Sequence, residues 1–164
     1  DLSSNDLELL HCLIFLFTAE TFLYKAVNKA FQKKDLEKVN TLGAFSYLLN
    51  EFVSKLSQVT QDFQYREKVY KGAKLSPETI AEYEKVKHFS WPSFVSGTKN
   101  QNIAQASGNV LFIIGMGSMG AVADFSRMSA YPNEEEVILA PNSVFSVEKI
   151  EKGDLTKIYL KKWD

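Results

Sequence analysis

Three carboxylates in a row, Glu134-Glu135-Glu136, run straight into the apolar triplet Val137-Ile138-Leu139. A strand begins where the acids end. Alternate strand side chains share a face, which would place Glu134 and Glu136 side by side, about 6–7 Å apart, with Glu135 turned away. Two like charges at that distance repel and raise each other's pKa, so the pair costs stability unless a ligand or a reaction uses it. A solvated charge run would account for the acids alone. Upstream, however, Tyr70-Lys71-Gly72 and Ser96-Gly97-Thr98 each close a strand-like stretch, and the three segments together read as parts of one site.

The order of elements narrows the fold. Asn5 with Glu8 forms a capping-box pattern ahead of Leu9, Leu10, Leu13 and Ile14. Thr18 is placed to cap a second helix with Phe22, Leu23, Ala26, Val27, Ala30 and Phe31 on one stripe. Leu42, Phe45, Leu49, Phe52, Val53 and Leu56 recur at helical spacing and predict a third. Ser76-Pro77-Glu78 gives an N-cap followed by proline at the first helical position of a fourth. From Glu67 onward the texture changes to short strands over 68–71, 89–96, 110–114, 137–139, 144–147 and 157–160, with turns at 140–143 and 152–154. Helices first and strands later predict an α+β domain rather than a doubly wound one. The 164 residues read as one domain, with a helical lobe over 1–65 and a β-rich core over 66–164.

Gly115-Met116-Gly117-Ser118-Met119-Gly120 matches the dinucleotide-binding pattern G-x-G-x-x-G after an apolar strand. Only 44 residues follow it, too few for the remaining units of that fold. The acids that should end the next strand precede one instead, and 121–128 reads as loop rather than amphipathic helix. The glycines are therefore expected to form a flexible connection between strands.

The three site segments, in order, resemble the arginine–serine–glutamate signature of the arginine-specific mono-ADP-ribosyltransferases. The likeness covers roughly the last hundred residues. Trp91-Pro92-Ser93-Phe94-Val95-Ser96-Gly97-Thr98-Lys99-Asn100 is similar to the aromatic-rich lead into that family's Ser-Thr-Ser strand, Asn109–Ile114 to the strand that follows, and Ser129–Leu139 to the loop that carries its Glu-x-Glu pair. The resemblance implies a helical lobe on a two-sheet β core, NAD in the cleft as the substrate, and transfer of ADP-ribose to a protein arginine.

Its implications for single residues are specific. Glu136 matches the catalytic glutamate, which stabilises the cationic ribose as nicotinamide leaves; Glu134 matches the acid that positions the acceptor guanidinium; Glu135 should matter little. Ser96 matches the serine that orients the catalytic glutamate. NAD binding would involve Tyr70, Lys71, Gly72, Ser96, Thr98 and Asn100, with Gly72 letting the ligand approach the backbone closely. Two positions depart from the family: Gly97 replaces a threonine, and Lys71 replaces an arginine whose planar fork makes two hydrogen bonds where an ammonium makes a point contact. Residues 99–108 resemble the loop over the nicotinamide and phosphates, without its aromatic. An NAD glycohydrolase, or a degenerate NAD- or protein-binding domain without turnover, are the alternatives.

Composition excludes little else. Net charge is −1, and the 19 basic residues are spread along the sequence, so no nucleic-acid partner is expected. His11 and His88 lack partners at ligand spacing, so no metal is expected. The single Cys12, read as a small buried hydrophobe, excludes an internal disulfide and fits a cytoplasmic, reducing setting without requiring one. No stretch reaches the ~20 apolar residues of a membrane span, and a chain that opens on Asp1 reads as excised from a longer protein.

Overall fold

The computed structural model describes residues 3–19, 22–59, 63–117 and 122–163, without the side chains of 55–59. Three helices come first: α1 (Ser4–Thr18), α2 (Phe22–Lys33) and α3 (Val39–Val59). The strands are β1 (Gln64–Tyr65), β2 (Val69–Ala73), β3 (His88–Ser90), β4 (Val95–Thr98), β5 (Val110–Gly115), β6 (Val122–Asp124), β7 (Glu136–Leu139), β8 (Val144–Glu151) and β9 (Thr156–Lys162). Helix α4 (Pro77–Lys85) precedes β3, and α5 (Gln101–Gln105) joins β4 to β5. The chain is α+β, as its order of elements predicts. Residue 65, where the helical lobe is expected to end, is the last residue of β1, which pairs with β6 from Gln64.

Helix ends follow local hydrogen bonding more closely than the sequence patterns suggest. The capping box of α1 is made by Ser3 and Asp6, not by Asn5 and Glu8: the Asp6 amide donates to Ser3 Oγ at 3.2 Å, and the Ser3 amide donates to Asp6 Oδ2 at 3.0 Å. Thr18 ends α1 instead of capping α2. The inner stripe of α2 is Leu23, Tyr24, Val27, Asn28 and Phe31, and Phe22 is 83% exposed. Cys12 is exposed rather than buried, because α1 turns Leu10, Leu13, Ile14 and Phe17 inward. Ser76 caps α4 as its pattern predicts, accepting from the Thr79 amide at 3.3 Å. Leu42, Phe45, Leu49, Phe52 and Val53 of α3 pack on the core, while the side chain of Leu56 lies outside the described residues.

The expectation of two sheets needs correcting. The nine strands form one hydrogen-bonded series in the order β1-β6-β7-β4-β2-β5-β9-β8-β3. Its two halves meet at β4 and β2 through a single register pair, Thr98 with Tyr70. Alternation along the strands then divides the side chains. Ile138 joins the helical lobe in a core with Phe17, Leu49, Phe94 and Phe125, whereas Val137 and Leu139 join Val69, Phe112, Phe145 and Leu160 in a core fed by both halves of the sheet. Only residues 116–121 separate β5 from β6. That leaves no room for the helix a dinucleotide-binding loop would open, and 118–121 lie outside the described residues. The stretch read as loop over 121–128 contains β6, a strand too short to show periodicity.

One bond ties the helical lobe to the loop before β7: Thr18 Oγ1 accepts from the Ala130 amide at 2.9 Å. Replacing Thr18 with valine keeps the volume and removes the acceptor from a site where the residue is 5% exposed. The expected cost is about 1–3 kcal/mol, read as a lower midpoint in urea with an unchanged slope.

Candidate active site

Thr98 of β4 lies directly opposite Glu136 of β7, and Gly97 lies opposite Val137. Residues facing each other across an antiparallel pair project to the same side, as do those two apart on one strand. Ser96, Thr98 and Glu136 therefore share a face, and they line one cavity of about 230 Å³ together with Tyr70, Lys71, Gly72, Glu134 and the backbone of Gly97. Tyr24 of α2 and Ile103, Ala104 and Ser107 at α5 complete the wall. Asn100 is not part of it.

Glu136 is 7% exposed, and both its oxygens are held. Ser96 Oγ donates to Oε1 in a very short hydrogen bond, and Ser129 Oγ donates to Oε2 at 3.1 Å. Ser129 in turn accepts from the Tyr131 amide at 3.1 Å. Burial raises the pKa of Glu136 above the usual glutamate value; the two serines oppose that rise, the Glu134 carboxylate adds to it, and Lys71 opposes it. Across the cavity the Lys71 ammonium donates to the Ser96 carbonyl at 3.1 Å. Burial pushes its pKa down, against the pull of Glu136. The pocket thus holds a buried carboxylate, Glu136, and a half-buried ammonium, Lys71, with the exposed carboxylate of Glu134 at its rim.

Glu134 and Glu136 do face one cavity, but not as strand neighbours. Glu134 ends a 3-10 turn, Pro132–Glu134, and Glu135 follows with φ 49°. That left-handed residue costs about 1–3 kcal/mol and is fixed from two sides. The Glu135 carbonyl accepts from the Lys99 amide at 3.1 Å, and its carboxylate accepts from Asn100 Nδ2 at 3.1 Å. Glu135 turns away from the cavity through its left-handed backbone rather than through strand alternation, and it matters to the loop. Thr98 Oγ1 donates to the Glu134 carbonyl at 2.7 Å and accepts from the Asn100 amide at 3.0 Å. Thr98 and Asn100 therefore shape the turn that presents Glu134, which stays exposed.

Two glycines are explained by packing. A Cβ on Gly72 would stand 2.0 Å from the Ala104 carbonyl oxygen, so α5 imposes the glycine where close ligand approach was the expected reason. Residues 99–108, expected as a covering loop, contain that short helix, capped by Asn100 accepting from the Asn102 amide at 3.0 Å. At Gly97 a Cβ would meet Val69 Cγ1 at 2.6 Å, so the glycine is set by the core beneath the site.

Ser129, Tyr24 and Ser107 carry no motif that marks them as site residues in the sequence. Ser129 lies in the segment resembling the Glu-x-Glu loop, but nothing in its spacing marks a carboxylate partner. Asn28, one helical turn after Tyr24, is 8% exposed with no partner for its Oδ1 among the described residues, and it is not part of the cavity lining. An ammonium facing a polar cavity and a desolvated carboxylate suit NAD, which brings a diphosphate and a cationic ring. Among the described residues no cluster of three or more His, Cys, Asp or Glu could hold a metal, and no single helix is long and apolar enough to cross a membrane.

The sequence profile of the NAD:arginine ADP-ribosyltransferases matches residues 10–164. The chain belongs to that family. NAD is accordingly its substrate, and ADP-ribosyl transfer its reaction class. No curated protein matches the chain by sequence. Among solved structures, the ADP-ribosyltransferase HopU1 of Pseudomonas syringae pv. tomato DC3000 superposes with a TM-score of 0.80 at 22% identity, over 94% of this chain and 76% of that one. Vis toxin of Vibrio splendidus gives 0.73 at 19%, over 99% and 74%. An ADP-ribosyltransferase of Clostridium botulinum gives 0.75 at 12%, over 99% and 88%. These likenesses place this ADP-ribosyltransferase on the same fold.

The raised pKa of Glu136 has a stability consequence with a definite sign. The folded state binds the proton more tightly than the unfolded chain, so this residue's contribution to stability is present at low pH and is lost as pH rises from the usual glutamate value through the raised one. Glu136→Gln removes the desolvated charge. The expected result is a variant more stable than the native domain at pH 7, with the difference shrinking toward pH 4, read by urea unfolding across that range.

Proposed function

We infer that residues 1–164 act as one catalytic domain that transfers ADP-ribose from NAD to a protein arginine, releasing nicotinamide. The observation that carries this reading is Glu136 fixed by two serines, with Glu134 on the rim of the same cavity. Nicotinamide leaves NAD as a neutral ring from a cation, so no general acid is needed. Positive charge builds on the ribose, and a preorganised carboxylate beside it lowers the barrier, as in glycoside cleavage. In this reading Glu136 supplies that charge, Ser96 and Ser129 hold its oxygens, and Lys71 faces the diphosphate. Exposed Glu134 receives the acceptor guanidinium and removes its proton as the new C–N bond forms. Vis has been crystallised with agmatine, a small guanidine that serves here as a test acceptor.

Because Glu134 is open to water, some ribosyl cation is expected to be lost to hydrolysis. Incubation with NAD and agmatine, with mass spectrometry of the products, should give ADP-ribosyl-agmatine and nicotinamide. Free ADP-ribose alone would make the domain a glycohydrolase, and an intact NAD pool would make it a binding module. Glu136→Gln should lower both transfer and hydrolysis by ~10²-fold or more. Glu134→Gln should suppress transfer while hydrolysis survives; equal loss of both would remove Glu134 from the acceptor's path.

Lys71 offers one charge-assisted contact, worth about 1.5–3 kcal/mol. Lys71→Ala should therefore weaken NAD by at least about tenfold in calorimetry. Unchanged affinity would take Lys71 out of the binding site.

A further inference from the structure

The 19 basic residues look evenly spread in the sequence, but folding gathers five of them. On α2, Phe22, Lys25, Lys29 and Lys33 fall at i, i+3, i+7 and i+11 and so share one helical face. All four are exposed, while Tyr24 on the opposite face lines the NAD cavity. The turn that follows adds Lys34 and Lys38, also exposed. From Phe22 to Val39 the chain carries five lysines against two carboxylates, Asp35 and Glu37, within a protein of net charge −1. Asp35 is engaged in capping, accepting from the Glu37 amide at 3.1 Å. Among the described residues none of the five lysines forms an ion pair.

Bare apolar side chains accompany this charge. Phe22 is 83% exposed, Leu36 81% and Val39 58%. Behind Leu36 and Val39 the apolar surface continues into a cavity of about 320 Å³, formed with Phe31, Leu42 and Pro92 and bordered by Lys34 and Lys38. A nucleic acid would match the lysines but leave the apolar groups in water. An anionic lipid surface matches both: the ammonium groups meet the headgroups, and Leu36, Val39 and Phe22 enter the acyl boundary.

We propose that the outer face of α2 and the turn after it dock this domain on anionic phospholipid membranes. The opposite face of the helix then keeps the NAD cavity turned away from the bilayer. This directs transfer toward acceptors held at a membrane surface, and the docking itself does not depend on the NAD chemistry.

Co-sedimentation tests it, using the chain as it is with phosphatidylcholine vesicles, alone or with about a third phosphatidylserine. The domain should pellet with the anionic vesicles, remain in solution with the neutral ones, and be released as salt is raised from about 0.1 to about 0.5 M. Each lysine near the surface is worth about fivefold in affinity, so Lys25, Lys29 and Lys33 changed together to glutamine should lose ~10²-fold. Leu36→Ser should weaken binding while keeping its salt dependence. All four positions are exposed, so thermal midpoints should stay unchanged and folding is not at issue. Failure to pellet, equal binding to both vesicles, an unaffected triple variant, or capture by single-stranded RNA in place of vesicles would overturn the proposal.

Discussion

A carboxylate buried at the first residue of β7, its two oxygens taken by hydroxyls from different parts of the chain, is the interaction on which the rest of the site depends. Taking Glu136 out of water is unfavourable, and its raised pKa records that cost. The compensation is distributed. Ser96 comes from β4, where strand pairing fixes its face. Ser129 comes from the loop, and the neighbouring Ala130 amide is held by Thr18 at the end of α1. Helical lobe, loop and sheet thus converge on one side chain, and a slip of one residue between β4 and β7 would turn Ser96 away from it.

The same convergence accounts for Gly97 and Lys71, the two positions that the sequence resemblance marks as departures. Gly97 leaves room that Val69 fills from the core side, so that exchange concerns packing beneath the site. Lys71 keeps its ammonium in the cavity and bonds the Ser96 carbonyl, on the same residue whose hydroxyl holds Glu136. A lysine there couples the strand carrying the serine to the cavity wall through one bond. The second hydrogen bond that an arginine could give has no counterpart.

Much of this was legible because period-two alternation is a local property. The strand after the acids follows from it. What the sequence hid was tertiary. Ser129 has no motif, and Tyr24 reaches the cavity only because α2 packs over the sheet. Gly72 owes its identity to the α5 backbone, a contact made between segments 32 residues apart in sequence. The placement of Glu134 was hidden for another reason: a left-handed residue at Glu135 replaces strand geometry, and only its bonds to Lys99 and Asn100 make that conformation favourable. The two-sheet expectation missed the Tyr70–Thr98 pair because one hydrogen-bonded register leaves no mark in either strand's composition.

The clamp on Glu136 is tested most directly by the pH profile of NAD cleavage in Ser129→Ala. The hydroxyl of Ser129 lowers the pKa of a carboxylate that burial has raised. Its loss should move the acid limb of kcat to higher pH, with activity recovered on the plateau where Glu136 is again ionised. An acid limb at the same pH as in the native domain would contradict the account, because Glu136 would then owe nothing of its ionisation to that hydroxyl.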